Sequence, residues 1–360
     1  MRLLTVVGAR PQFIKAAVVS RAVHKRKNIE EIILHTGQHY DNNMSAVFFE
    51  EMNIPEPAYN LDIKEHSHGA MTAKMLDGIE KILLKEKPDL VLVYGDTNST
   101  LAAALAASKL QIPVAHVEAG LRSHNMQMPE EINRILTDRV SNLLFCPTRQ
   151  SVKNLKKEGF EKDFYRIYET GDVMLDAVKY YFKKSKAGIL SKLNIRQNNF
   201  ILSTFHRAEN TDDINNLEKI ISALNQLNKE KEVIVPLHPR TAKFIHQHKI
   251  NTDFRIIKPL GYFDMLQLLS NCSIVITDSG GLQKEACFFK KFCVTLREQT
   301  EWTELIKNGY SILAGSNSKK ILKYSQGLLS KPFPEMKELY GDGNAGEKIA
   351  VIIEKLSDNL

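Results

Sequence analysis

What most constrains this chain is a rhythm in which short, largely apolar runs alternate with longer amphipathic stretches. In the first half the runs fall at residues 3–7, 32–35, 90–94, 114–117 and 143–147, with helical periodicity at 11–24, 71–86 and 99–109. In the second half they fall at 201–205, 232–237, 255–257, 273–277, 292–296 and 311–313. Between them, Ile220, Ile221, Leu224 and Leu227 form one apolar stripe across 215–227. A strand apolar on both sides belongs in a sheet covered on both faces, and a strand–helix–strand repeat demands parallel pairing through right-handed crossovers. The expectation is an α/β fold of two doubly wound Rossmann-like domains facing a cleft. A first domain over 1–172 and a second over 173–344 put the junction just before the weakly periodic stretch 180–199. Residues 345–360 read as a terminal helix that packs back onto the first domain.

The 360 residues carry 49 Lys and Arg against 42 Asp and Glu, a formal net charge of +7. Such an excess suits nucleic acid, an acidic membrane or a phosphorylated small molecule. Most of these cations lie on helix-like stretches with acids nearby, few aromatics are interleaved, and no nucleic-acid-binding motif appears. No nucleic-acid partner is therefore expected. No apolar run reaches the roughly 18 residues of a membrane span, and the N-terminal segment enters a strand without the layout of a signal peptide. Cys146, Cys272, Cys287 and Cys293 have neither metal-binding nor redox spacing. They read as reduced, buried thiols of a cytoplasmic protein.

In parallel sheets, ligands meet the carboxyl ends of strands and the N-termini of the helices that follow. Gly8-Ala9-Arg10-Pro11 follows the first run, with Lys15 one turn further on. Proline fits the first helical position, where its missing N–H would be unpaired anyway. Arg10 then stands beside oriented N–H groups that attract an anion, although a turn glycine and a solvated arginine would look the same. Asp96, in Tyr94-Gly95-Asp96-Thr97, and Glu118, in His116-Val117-Glu118-Ala119-Gly120-Leu121-Arg122, end two further runs. Glu130 and Glu131 open a helix in Pro129-Glu130-Glu131-Ile132-Asn133-Arg134. One acid in such a place is ordinarily a cap. Several on one rim suit proton transfer, because burial and mutual repulsion push their pKa values apart.

The second half offers an anion site. Asp278-Ser279-Gly280-Gly281-Leu282-Gln283-Lys284-Glu285 follows a run and opens a helix. Its glycines and free N–H groups can hold a diphosphate, with Glu285 accepting from ribose hydroxyls. A plain glycine turn is the competing reading. His206-Arg207 and His238-Pro239-Arg240 each place a histidine and a cation after a run. Neither has the i, i+4 or carboxylate–histidine spacing of a metal site, so no metal is expected.

Taken in order, these segments resemble the motifs of the non-hydrolysing UDP-N-acetylglucosamine 2-epimerase family. The match runs through Gly8-x-Arg10-Pro11 with Lys15, Gly95-Asp96-Thr97, His116 to Arg122, Pro129-Glu130-Glu131-x-Asn133-Arg134, His206-Arg207, His238-Pro239 and Asp278-Ser279-Gly280-Gly281-x-Gln283-x-Glu285. It spans essentially the whole chain. The resemblance implies the glycosyltransferase-B architecture, a UDP-sugar substrate, no cofactor and a homodimer. The implied reaction is an isomerisation: anti elimination of UDP, a glycal intermediate, and re-addition with C2 inverted. Asp96, Glu118 and Glu130 match the family's essential acids; of these we assign Glu118 and Glu130 as the proton-transfer pair, with Asp96 orienting or assisting them and Glu131 as the adjacent substitute. Arg10, His206 and the Ser279-Gly280-Gly281 turn would stabilise departing UDP. Lys15, Arg122, Arg134, Arg207, His238, Glu285 and Glu301 complete the implied binding set.

Three segments depart from the family's usual pattern. Thr300-Glu301-Trp302-Thr303-Glu304 stands where Thr-Glu-Arg-Pro-Glu is usual, and Gly8-Ala9-Arg10-Pro11-Gln12 where Gly-Thr-Arg-Pro-Glu is. Residues 36–44 lack the Gln-His-Arg pattern that holds a second, activating UDP-sugar. These variations resemble the branch acting on UDP-2,3-diacetamido-2,3-dideoxy-glucuronate for bacterial surface polysaccharide such as lipopolysaccharide O-antigen. The carboxylate of that sugar would want one more cation, from Arg122, Arg134, Arg207 or Arg297. Epimerisation of UDP-N-acetylglucosamine to UDP-N-acetylmannosamine is the alternative, and a glycosyltransferase of the same fold a remoter one.

Overall fold

The computed structural model describes residues 1–37, 55–65, 67–160, 164–185, 188–237 and 239–357, apart from the side chains of Arg10 and Ser357. The chain forms two compact units, Met1–Lys179 with Glu338–Leu360, and Tyr180–Lys337. The junctions thus lie at Lys179 and Lys337 rather than at the expected 172 and 344. Helix Val173–Lys184 runs unbroken through the first of them, which leaves no change of periodicity to mark it.

The first unit is built on a parallel sheet of β1 (Arg2–Val7), β2 (Glu30–His35), β3 (Tyr59–Asn60), β4 (Leu90–Tyr94), β5 (Val114–Val117), β6 (Leu143–Cys146) and β7 (Arg166–Glu169). Their order is β3-β2-β1-β4-β5-β6-β7. The chain leaves β1 for β2 on one side and returns to β4 on the other, so β1 and β4 flank the switch point where such sheets open a crevice. One face is covered by Met75, Ile79 and Leu83 of helix His68–Glu86 and by the alanines of helix Asn98–Lys109, packed on Leu4, Val6, Leu34, Val91 and Val93. Each of these large side chains contributes about 1.5–3 kcal/mol by leaving water. Strands β3 and β7 are absent from the sequence expectation. The first is two residues long, and β7, Arg-Ile-Tyr-Glu at the sheet's edge, is charged at both ends and only partly buried.

Helix Ala345–Ser357 belongs to this unit and lies against helix Arg10–Val23. Gly346 abuts Val18, while Arg26 pairs with Glu347 and, at 3.3 Å, with Glu354.

The second unit repeats the plan with β8 (Phe200–Thr204), β9 (Glu232–Pro236), β10 (Arg255–Ile257), β11 (Val275–Thr277), β12 (Cys293–Thr295) and β13 (Ser311–Leu313), in the order β10-β9-β8-β11-β12-β13. The predicted stripe of Ile220, Ile221, Leu224 and Leu227 lies in one core with Val233, Val235, Ile276 and Val294. All four cysteines are free and buried. Among the described residues, no helix is long and apolar enough to cross a membrane. Nor is any group of three or more His, Cys, Asp or Glu placed there to hold a metal ion.

Candidate active site

In the first unit the predicted residues gather where β1, β4 and β5 end. The Gly8–Arg10 turn is closed by Gln12, whose oxygen accepts from the backbone N–H of Gly8 (2.8 Å) and Ala9 (2.9 Å). Its amide nitrogen donates to the carbonyl of Tyr94 (2.8 Å) and to Thr100 Oγ1 (2.9 Å), so this turn is stapled to the end of β4. One turn on, Lys15 forms an almost buried ion pair with Glu118. Glu118 has φ +78°, a left-handed backbone that costs a non-glycine residue about 1–3 kcal/mol and persists only where the surroundings enforce it. Gly95, at φ +65°, lies beneath the pair. A Cβ there would stand 3.2 Å from Lys15 Nζ and 3.3 Å from Glu118 Oε2.

Asp96 is one-third exposed, and one of its oxygens is held by Arg134 at 3.0 and 3.1 Å. Asn133 donates to its carbonyl at 2.9 Å. Glu130, in the first turn of helix Pro129–Val140, is half-buried. It has no hydrogen-bond or ion-pair partner among the described residues.

Three expected site residues are turned inward. Glu131 is 1% exposed and accepts from the backbone N–H of Ser123 (2.9 Å) and His124 (2.8 Å) and from Arg134 (2.6 Å). It fastens the loop after β5 to the helix, and its saturated oxygens are not placed to exchange protons with a substrate. Arg122 grips Glu158 through two nitrogens (2.7 and 2.8 Å) and gives its third to Asp138 and to its neighbour's carbonyl. It meets no ligand. Arg134, 2% exposed, bridges Asp96 and Glu131 and so orients an acid.

In the second unit Asp278 organises the end of β8. It is wholly buried and accepts from the backbone N–H groups of His206 and Arg207 and from the amide of Asn210, each at 3.0 Å. Burial alone would push its carboxyl up, but the His206 ring, with Nδ1 at 3.1 Å, and these donors hold it below the usual carboxylate range. With Nδ1 committed to Asp278, the His206 ring, 57% exposed, has Nε2 left to meet a ligand. Arg207 donates from Nε to the Asp278 carbonyl (3.1 Å). Its terminal nitrogens have no partner among the described residues.

Ser279 caps helix Gly280–Phe288. A Cβ at Gly280 would stand 2.5 Å from Glu301 Oε1, so a larger residue there would have to displace the Glu301 carboxylate. Glu301 is buried on Arg297 (3.0 Å), and Glu285 accepts from Tyr262 Oη (3.0 Å). The Lys284 ammonium, 1% exposed, sits 3.9 Å from the Trp302 ring centroid. Sequence reasoning missed the parts played by Asp278, Lys284 and Asp138. For Asp278, its place directly after β11 was the available signal. The Arg10 side chain, His238 and residues 38–44 lie outside the described residues.

The sequence profile of the UDP-N-acetylglucosamine 2-epimerase family matches residues 21–354. The chain belongs to that family. It is 52% identical over 359 residues to the UDP-2,3-diacetamido-2,3-dideoxy-D-glucuronate 2-epimerase of Pseudomonas aeruginosa, covering 99% of this chain and 100% of the other. It is 51% identical over 369 residues to a UDP-N-acetylglucosamine 2-epimerase homolog of Methanococcus maripaludis, covering 99% and 100%. The crystal structure of the Methanocaldococcus jannaschii UDP-GlcNAc 2-epimerase with UDP-GlcNAc and UDP matches with a TM-score of 0.92 at 43% identity, covering 99% and 100%. The two parallel-sheet units are those of the glycosyltransferase-B class that the motifs implied, and membership makes the chain an isomerase of the UDP-sugar 2-epimerase type.

Proposed function

We propose that this epimerase acts on UDP-2,3-diacetamido-2,3-dideoxy-glucuronate through Glu118 and Glu130, with Asp96 orienting the pair. The make-up of the first unit's rim carries the residue assignment. Glu118 is enforced in a strained turn beside Lys15, Asp96 is held by Arg134, and Glu130 is half-buried without a partner among the described residues. The C2 proton of such a sugar has no adjacent ketone, so its direct removal is difficult. Breaking the C1–O bond to UDP builds positive charge at C1 and makes that proton acidic. One carboxylate takes the proton from one face as UDP leaves with the bonding pair, giving a glycal. UDP oxygen then returns to C1 while the other carboxylate delivers a proton to the opposite face of C2. In the second unit, His206 and the Ser279-Gly280-Gly281 helix start are assigned to the departing diphosphate, and Glu285 to the ribose.

The 52% identity to the Pseudomonas aeruginosa enzyme supports the uronate branch. Of the four candidate cations for its sugar carboxylate, Arg122, Arg134 and Arg297 are buried on acids, whereas Arg207 is half-buried with terminal nitrogens uncommitted among the described residues. Arg207 is accordingly assigned to the sugar carboxylate. A cytoplasmic homodimer serving bacterial surface polysaccharide synthesis completes the reading, after the family.

Incubation with the diacetamido-uronate and with UDP-N-acetylglucosamine, separately in deuterated water, tests it by proton NMR at C2. Inversion with deuterium at C2 of the uronate is expected. Turnover of UDP-N-acetylglucosamine alone would overturn the substrate, and no exchange with either would overturn the reaction.

A further inference from the structure

Beneath the rim of the first unit lies a buried ionic network that the chemistry above does not use. At its centre is Asp138, on helix Pro129–Val140 and wholly buried. Its Oδ1 lies 2.7 Å from Nδ1 of His116. Its Oδ2 accepts from Arg122 (2.7 Å) and from the backbone N–H of Gly120 (3.1 Å). His116, on β5 and 0% exposed, presents its other nitrogen, Nε2, to the carbonyl oxygen of Gly95 at 2.7 Å. A carbonyl only accepts, so Nε2 donates, and the ring is a rigid strut between Gly95 and Asp138.

Three segments therefore converge on one carboxylate. The turn bearing Asp96 is reached through His116 and the Gly95 carbonyl. The turn bearing Glu118 is reached through the Gly120 N–H. The third segment, the helix that opens with Glu130, carries Asp138 itself about two turns further on. Glu118 has a left-handed backbone, and strain of that kind relaxes unless the surroundings over-determine it. Short charge-assisted bonds between fully buried groups are stiff enough to do so.

We propose that Asp138 is the positioning residue that sets the mutual geometry of Asp96, Glu118 and Glu130, acting on the first through His116 and on the second through Gly120. The inference rests on those acids being the proton-transfer groups. A network that merely adds stability would lower the melting temperature without singling out the chemical step. A misplacement of about 1 Å between reacting groups lowers turnover by about 100-fold and leaves ground-state binding largely intact.

The test compares Asp138→Asn and His116→Gln with Glu158→Gln, which loosens Arg122 from the outside but touches neither turn. For each, kcat, KM, the Kd for UDP and the melting temperature are measured. The expected result is a fall in kcat of about 100-fold for Asp138→Asn and about 10-fold for His116→Gln, with KM and the UDP Kd within about 3-fold of wild type. Glu158→Gln loses melting temperature while kcat stays within about 2-fold. A folded Asp138→Asn with kcat within 2-fold of wild type overturns the proposal. So does a loss of kcat that tracks melting temperature equally across all three variants. Should Asp138→Asn fail to fold, His116→Gln decides, and unchanged kcat there is the refutation. Full turnover by Glu118→Gln would remove the underlying reading of the acids, and this inference with it.

Discussion

Replacing Asp176 with asparagine should stabilise the first unit at neutral pH and flatten its pH dependence. Asp176 lies on helix Val173–Lys184, and its Oδ2 accepts from the backbone N–H of Gly346 (2.8 Å), where helix Ala345–Ser357 begins. Burial, aided by the charges of Asp172 and Asp342, pushes its carboxyl from 3.8 up to about 6, against the downward pull of the Gly346 and Ala345 N–H groups. The unfolded chain therefore ionises at 3.8 and the folded chain only near 6. Between these values the folded state holds a proton that the unfolded state has lost, so stability falls as pH rises from about 4 to about 6 and stays reduced above. At about 1.4 kcal/mol per pKa unit, the full span is worth about 3 kcal/mol. Asparagine keeps an acceptor for Gly346 and removes the charge. Its expected gain is about 1–3 kcal/mol at pH 7.5, vanishing toward pH 4. Urea denaturation followed by far-UV circular dichroism between pH 4 and 8 reads this directly. The single tryptophan, Trp302, lies in the other unit and gives that unit's transition separately. A variant less stable than wild type at pH 7.5, or a difference that does not shrink on acidification, would refute the reasoning.

Glu118→Gln and Glu130→Gln should each lower C2 deuterium incorporation by about 100- to 10,000-fold with UDP affinity nearly unchanged. Near-native exchange in either variant would remove that residue from the pair. Arg207→Gln should weaken the KM for the diacetamido-uronate by about 10-fold or more while sparing the Kd for UDP, and an equal loss for both would return Arg207 to the diphosphate. Burial pushes the thiols of Cys272 and Cys287 up to about 12 and that of Cys293 up to about 11. It pushes Cys146 well above the ordinary range too, so a chromogenic disulfide reagent at pH 8 should label all four only after unfolding. Rapid labelling of the native protein contradicts this.

The two sheets were legible because the inner strands of a parallel sheet are buried on both faces and leave an unbroken apolar run. Edge strands such as β7 carry charge where they meet water, and charge erases that signal. The residues gathered on the rims were legible by the same geometry, since they follow strand ends. Direction was not. Glu130 and Glu131 are neighbours in one motif, yet one helical step of about 100° leaves the first half-buried and open and the second 1% exposed and saturated. Arg122 shares its motif with Glu118 but faces Asp138 and Glu158, and the sequence distance to those partners hides the pairing.

The departures from the family pattern acquire local causes. Gln12 must donate to the Tyr94 carbonyl and Thr100 as well as accept from two N–H groups, which an ionised glutamate at that position could not do. Trp302, where the family usually carries arginine, covers a buried lysine with its ring and spares the site a second buried cation beside Lys284. A substitution that neutralises an internal charge speaks first for the residue it packs against. It speaks for the substrate only where a side chain is left uncommitted. On that criterion Trp302 carries little information about the sugar.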